Sequence, residues 1–297
     1  MDWKPAKVLG MVVGMLIILT ILGIDLFLIR NIAGQPFGLN LYLTMLLTIC
    51  TLPLLALWIY WYYGLATLRY HLDRNELVII SGTTRYAIPL QSIRRIRRGN
   101  EYTETAHFRG IVWSGYMRGR TQSAEVGPIE IHSTQPLTRQ LVVETDNQCY
   151  GISPRHTDRF LDDFDRRCAL GVMRESEPAK TRVGLAALPL WRDRGFWALW
   201  IAVFITNAAL FGMIAERYTS LAARLSIHSN LPGQVALIIP KSGILIVPAI
   251  GAVVLVIDSI LGILLHHRER VGAWLISLVA LGIQGVLWVA ALGIVGI

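Results

Sequence analysis

Five apolar stretches, at 8–29, 39–63, 195–215, 242–265 and 271–297, enclose one hydrophilic block of about 130 residues. Each meets or exceeds the ~20 residues a helix needs to cross a ~30 Å hydrocarbon core. Asp25 and Asp258 are the two charged residues inside them. A chain so patterned has few choices, because lipid offers no partner for an open backbone and only helices or closed barrels span it. The pattern predicts a multi-pass α-helical membrane protein of five transmembrane helices, with one aqueous domain inserted between the second and third. In residue terms this is a two-helix hairpin at 1–63, a domain at 64–170, a linker at 171–194 and a three-helix module at 195–297 with a loop at 216–241.

Charge is concentrated where the apolar stretches are not. Residues 64–194 hold 20 of the 28 Lys and Arg and 15 of the 20 Asp and Glu, a net +5. A basic balance of this kind points to a cytoplasmic segment, since such segments are enriched in Lys and Arg, and no nucleic-acid partner is needed to explain it. Lys4 and Lys7 precede the first span, Arg192 and Arg194 precede the third, and Arg268 and Arg270 sit in the 266–270 loop behind His266 and His267. The 30–38 loop has only Arg30, and the 216–241 loop spreads Arg217, Arg224 and Lys241 over a longer stretch. These asymmetries predict a cell-membrane protein with its N-terminus and residues 64–194 in the cytoplasm and its C-terminus outside. The first apolar run is too long for the 7–15-residue core of a secretory signal and reads as a retained span.

Acids inside spans need an internal partner or a polar cavity. Asp258 costs its helix about 2.5–3.5 kcal/mol on insertion. The 15 Leu, Ile and Val residues of that stretch together return about −5 to −9 kcal/mol, so the span inserts. Asn207 and His266 are the candidate partners of Asp258. Asp25 lies five residues from Arg30, close to the outer interface, where a snorkelling charge is inexpensive. Asp258, Asn207 and Asp25 form the candidate intramembrane polar site. Gly10 and Gly14 make a small-xxx-small pair suited to close helix packing.

The hydrophilic block alternates with period two. Tyr70, Leu72 and Leu77–Ile80 flank the turn residues Asp73-Arg74-Asn75. Further strand-like runs fall at 86–88, 110–116, 128–132, 141–145 and 149–152, with glycines between them. About seven short strands then give way to a helix, with Ser153 as cap, Pro154 at its first position and Asp158 in its first turn. Phe160, Leu161, Phe164 and Cys168 give that helix one apolar stripe against the sheet. Cys50, Cys149 and Cys168 have neither metal-ligand spacing nor a disulfide framework and read as free.

The order of these elements resembles a bacterial pleckstrin-homology-like domain over roughly residues 64–170. The residues that carry the resemblance are Tyr70, Leu72, Leu77, Ile79 and Gly82, then Ile88-Pro89-Leu90 and Ile93, and the basic run Arg94, Arg95, Arg97 and Arg98. Gly110, Gly115-Tyr116 and Gly119 follow, and Ser153-Pro154 with Phe160 opens the final helix. Ser114 departs from it, standing where relatives tend to place proline. The resemblance implies a β barrel or sandwich capped by a C-terminal α-helix, usually beside membrane spans. The four arginines are the candidate lipid- or partner-binding residues, each gaining about 1 kcal/mol near anionic lipid.

The 216–241 loop contains Ile227-His228-Ser229-Asn230 and Pro232-Gly233. Residues 196–265 resemble the small membrane module found with SdpI-type bacterial immunity proteins. His228, Asn230 and Gly233 fit its loop signature, whereas Ser226 replaces its proline and its acidic residue is missing. The resemblance implies envelope regulation or self-protection, with His228 and Asn230 as the candidate outer-loop site. No third ligand stands at metal-binding spacing beside them, so no metal is expected.

The chain has no nucleophile elbow, no phosphate-binding glycine loop and no His-Glu-x-x-His pair. The expectation is therefore a non-enzymatic envelope protein without cofactors. Its cytoplasmic domain would contact an unidentified membrane or cytoplasmic protein, or the anionic leaflet of the bilayer. The alternative is a transporter or channel component that uses Asp25 and Asp258.

Overall fold

The computed structural model describes residues 1–102, 105–146, 148–171, 178–182, 187–227, 237–266 and 269–295. Among them are six α-helices: α1 (Val8–Ile32), α2 (Leu39–Ala66), α3 (Thr157–Ala169), α4 (Arg194–Arg217), α5 (Ile246–His266) and α6 (Arg270–Val295). All but α3 belong to segments long and apolar enough to cross a membrane, the fourth segment beginning with a 3₁₀ turn at Lys241–Leu245. Helices α1 and α2 each run three residues past their predicted ends. Apolarity stops at the headgroups, but backbone hydrogen bonding continues through Arg30 and Asn31. Residue contacts divide the chain into two compact units, Met1–Ile24 with Leu52–Ala187, and Asp25–Thr51 with Leu188–Ile297.

The first unit is built on two sheets. One has the order β1-β2-β3-β4-β11, from β1 (Asp2–Trp3), β2 (Arg69–Leu72), β3 (Glu76–Ser81), β4 (Thr84–Pro89) and β11 (Ala179–Arg182). The other has the order β5-β9-β10-β8-β7-β6, from β5 (Ile93–Arg98), β6 (Thr105–Trp113), β7 (Tyr116–Ser123), β8 (Gly127–Ser133), β9 (Leu141–Thr145) and β10 (Cys149–Ile152). Neighbouring strands are antiparallel except β10 with β8. The core joins Tyr70, Leu72, Leu77 and Ile79 of the first sheet to Leu141, Val143 and Ile152 of the second, with Phe160 and Phe164 of α3 closing it. Burying each of these side chains contributes about 1.5–3 kcal/mol.

Several predicted details are corrected. The run at 110–116 is not one strand but a hairpin. Gly115, at φ 86, turns the chain between β6 and β7, in a region side chains rarely enter. The arginine run is itself a strand, β5. Helix α3 begins at Thr157 rather than Pro154, with His156 at its cap and no side-chain capping bond. Ser153 is engaged elsewhere, its hydroxyl accepting from the Thr134 amide (2.9 Å) and its amide donating to the Tyr70 hydroxyl (3.1 Å). Cys168 is exposed, so the helix stripe ends at Phe164. Within the linker, Ala179–Arg182 is not irregular but pairs antiparallel with β4, satisfying an otherwise open sheet edge.

Gly10 and Gly14 let Leu65 and Tyr62 of α2 come close to α1, and Gly10 also meets the β domain. The tip of the β6–β7 hairpin lies on α1, and a Cβ at Gly10 would overlap the Gly115 carbonyl. Trp113 Nε1–H donates to the Gly10 carbonyl (3.0 Å), and the Trp113 ring packs on Trp58 of α2 at 5.3 Å. Gly14 makes room for Tyr62. At the end of α2, the Gly64 carbonyl accepts from the Ser81 hydroxyl (3.2 Å), and just past it the Thr67 hydroxyl accepts from the Gly82 amide (2.6 Å). The β domain is thus fastened to both of its adjacent helices.

In the second unit, α4, α5 and α6 pack together around Leu210, Ile214, Ile244 and Ala291. A short hairpin follows α4, from β12 (Arg224–Ile227) and β13 (Leu237–Pro240). His228 and Asn230 lie outside the described residues.

Candidate functional site: three polar clusters

The arginines of β5 do not form a free basic patch. Arg94 Nε donates to Asp146 (2.5 Å), Arg95 Nε to Glu144 (2.6 Å) and Arg98 Nη2 to Asp158 (2.9 Å). Arg97 lies 3.6 Å from Glu144 and within 4 Å of Glu101 and Glu125. Glu144 is buried on β9, the paired strand, where it also accepts from the Tyr102 hydroxyl (2.6 Å). Burial pushes its carboxyl up, but the Tyr102 and Arg95 hydrogen bonds outweigh this and hold it below its ordinary value. Sequence showed the cations together. It did not show the carboxylates that cross-strand register places opposite them.

A second cluster lies on β8, facing β4 and β11. Glu130 is buried and accepts from the Tyr86 hydroxyl (2.5 Å), Lys180 Nζ (2.8 Å) and Gln148 Nε2 (2.7 Å). Burial alone would raise its carboxyl, yet the Lys180 and Tyr86 hydrogen bonds bring it down to about 2. Lys180 also sits 4.5 Å above the Tyr86 ring, so a single residue of β11 ties together both sheets. Two residues along β8, His132 is 2% exposed and neither ring nitrogen has a hydrogen-bond partner among the described residues. Its ring packs 4.7 Å from that of Tyr86, and its Nε2 stands 3.9 Å from Glu130. Burial pushes the imidazole down to about 3, with the Arg118 charge adding to the fall and Glu130 opposing it. This cluster was not anticipated, since its members come from four separated segments.

The third cluster is among the spans of the second unit. Asn207 does not reach Asp258. Its Nδ2 donates to the Pro248 carbonyl (3.2 Å) and to Gln284 Oε1 (3.1 Å), and Gln284 Nε2 donates to the Gly251 carbonyl (3.0 Å). These bonds join α4, α5 and α6 through side chains that lipid could not solvate. Pro248 is the third residue of α5, where its missing N–H has no intrahelical role. His266 is also committed elsewhere, its Nε2 lying 3.0 Å from Asp193 Oδ2. Asp193 caps α4 by accepting from the Phe196 amide (3.2 Å), and receives Arg270 Nε (2.6 Å) and Trp274 Nε1 (3.1 Å). Arg270 chiefly, then His266, Trp274 and the Phe196 amide, hold this carboxyl far below the usual carboxylate range against the pull of burial.

Asp258 is half-buried on α5. Asp25 departs from the snorkelling expectation: it is 2% exposed, and both carboxylate oxygens are buried without a hydrogen-bond partner among the described residues. Of the missed residues, Asp193 had a usable signal, an acid directly before an apolar helix. Gln284 also did, as a lone amide inside an apolar run.

Among protein families, residues 68–168 match the family described as Bacterial PH domain. No curated protein and no solved structure matches the chain. The molecule is a multi-pass membrane protein that carries a bacterial PH domain between its apolar helices.

Proposed function

We propose that this is a non-enzymatic envelope protein whose PH domain faces the cytoplasm and couples the spans to a protein partner or to the anionic leaflet. The carrying observation is the seating of the β6–β7 hairpin on α1, through Gly115 against Gly10 and Trp113 on the Gly10 carbonyl. A domain held this tightly passes a load at its surface to the helices, where a loosely tethered binder would not. The pairing of Arg94, Arg95, Arg97 and Arg98 with carboxylates favours recognition of a protein over simple attraction to lipid at that strand. A role in envelope regulation, stress response or self-protection draws on the outer-loop resemblance around His228 and Asn230. Exposed Cys168 offers a test of sidedness. A membrane-impermeant maleimide should label it in inverted vesicles and spare it in intact cells, and the reverse pattern would sink the cytoplasmic reading. Photo-crosslinkers placed along β5 in the full chain should then capture a discrete protein in the membrane.

A second reading, a transporter or channel component, is favoured by one observation: the buried, unpartnered carboxylate of Asp25. Proton or ion flux in reconstituted vesicles that Asp25→Asn abolishes would support it, and absence of flux would remove it.

A further inference from the structure

Where α1 begins and α2 ends, a cavity of about 780 Å³ opens against β2 and β3. Lys4, Lys7, Arg69 and Arg155 line it, and no Asp or Glu does. Backbone pairing brings these distant residues together. Strand β1 pairs with β2, and the Arg155 amide donates to the Lys4 carbonyl (3.2 Å). Lys7 Nζ donates to the Ala66 carbonyl (2.7 Å) at the end of α2. Among the described residues, Lys4, Arg69 and Arg155 form no ion pair. Asp2, which feels the charge of Arg69, is bound to His71 at 2.6 Å. Burial pushes the Lys7 ammonium down, and the charges of Lys4 and Arg69 push it further, so the cluster is one of mutual repulsion. Like charges gathered in a concave, partly desolvated site are stabilised by an anion.

The apolar side of the cavity identifies which anion. Val8 is 78% exposed and opens the apolar surface of α1, and half-exposed Tyr63 stands at the other rim on α2. Aromatic and basic residues at this level are typical of the headgroup region. A free phosphate would use the cations and leave the apolar rim idle. We propose that this cavity seats the phosphate of one anionic phospholipid, with its acyl chains on the exposed apolar surface of α1. The site belongs jointly to the spans and the β domain, at a distance in sequence from the arginines of β5. It deepens the leaflet contact proposed above and rests on that reading.

Full-length protein in nanodiscs of equal phosphatidylglycerol and phosphatidylcholine, released for native mass spectrometry, should retain one phosphatidylglycerol in preference to phosphatidylcholine. Removing two cations in Lys4→Gln/Arg155→Gln should weaken retention about thirtyfold, at about fivefold per cation. The charge-conserving pair Lys4→Arg/Arg155→Lys should retain the lipid, as should Arg94→Gln/Arg95→Gln. Retention unchanged in Lys4→Gln/Arg155→Gln, equal retention of phosphatidylcholine, or displacement by millimolar inorganic phosphate would each overturn the proposal. Cys168 labelling reports on the cytoplasmic reading separately, so a failed lipid site and a failed orientation give different results.

Discussion

His132 makes the β domain sensitive to mild acid in a calculable way. The folded chain keeps its imidazole neutral down to about pH 3, whereas an unfolded histidine takes a proton near pH 6.5. Below pH 6.5 the unfolded state therefore binds a proton that the folded state refuses. Stability is full above that value and falls as pH drops towards 3. Glu130 acts in the same direction, but only below its ordinary value of 4.5, so it is silent in the window used here. Between about pH 7.5 and 5.5 the His132 contribution falls by about 1.4 kcal/mol, a tenfold change in the opening equilibrium. Buried Cys149 on β10 provides the readout within the intact protein. In a Cys50→Ser/Cys168→Ser background, its thiol-labelling rate, referred to the urea-unfolded chain at the same pH, measures how often the domain opens. Protection should fall about tenfold across the window. His132→Phe, which keeps a ring against Tyr86 and removes two unsatisfied nitrogens, should abolish this dependence. It should also gain about 1–2 kcal/mol at neutral pH by removing a buried polar group without partners. An identical pH dependence in wild type and His132→Phe would refute the reasoning.

Gly10→Leu should lift the hairpin tip from α1, at about 1–3 kcal/mol of overpacking, and limited trypsin digestion should then cut faster at Arg118 and Arg120. Gln284→Leu should cost about 0.6–1.7 kcal/mol by leaving Asn207 with the Pro248 carbonyl alone, measurable as a loss of helix association in a steric-trap assay. Asp193→Ala removes the α4 cap and strands His266 and Trp274, so the full chain should lose about 1–3 kcal/mol of stability in micelles. Asp193→Asn, which keeps the cap, should lose less, and equal losses in both variants would remove capping from the explanation.

Legibility followed the range of the forces involved. Hydrophobic length is a local property, so each span could be located to within a few residues from its own sequence. The β domain was readable as alternation, and the burial of Phe160 and Phe164 as an i, i+4 helical stripe. The hairpin at Ser114-Gly115 was not separable from a longer strand, because a turn forced by one positive-φ glycine leaves the flanking alternation intact. The site residues fared differently. Arg94, Arg95, Arg97 and Arg98 were visible as a run, but the partners of Arg94 and Arg95, Asp146 and Glu144, lie some fifty residues away across the β5–β9 pairing, and that of Arg98, Asp158, lies on α3. Asn207 was read as a partner for Asp258, yet its side-chain amide donates to Gln284 instead.

Composition and order alone determined that this is a multi-pass membrane protein, that five segments are long and apolar enough to cross a bilayer, and that a strand-built domain interrupts them. Burial of apolar length in lipid and of alternating residues in a sheet is decided within each segment, whatever the others do. Tertiary structure alone decided which polar atoms meet. It set a hairpin tip on Gly10, a linker strand on the edge of β4, and four cations from the N-terminus, β2 and the approach to α3 around one cavity. Hydrogen bonds and ion pairs act over a few ångströms, and that closeness exists only once the backbone has brought distant residues together.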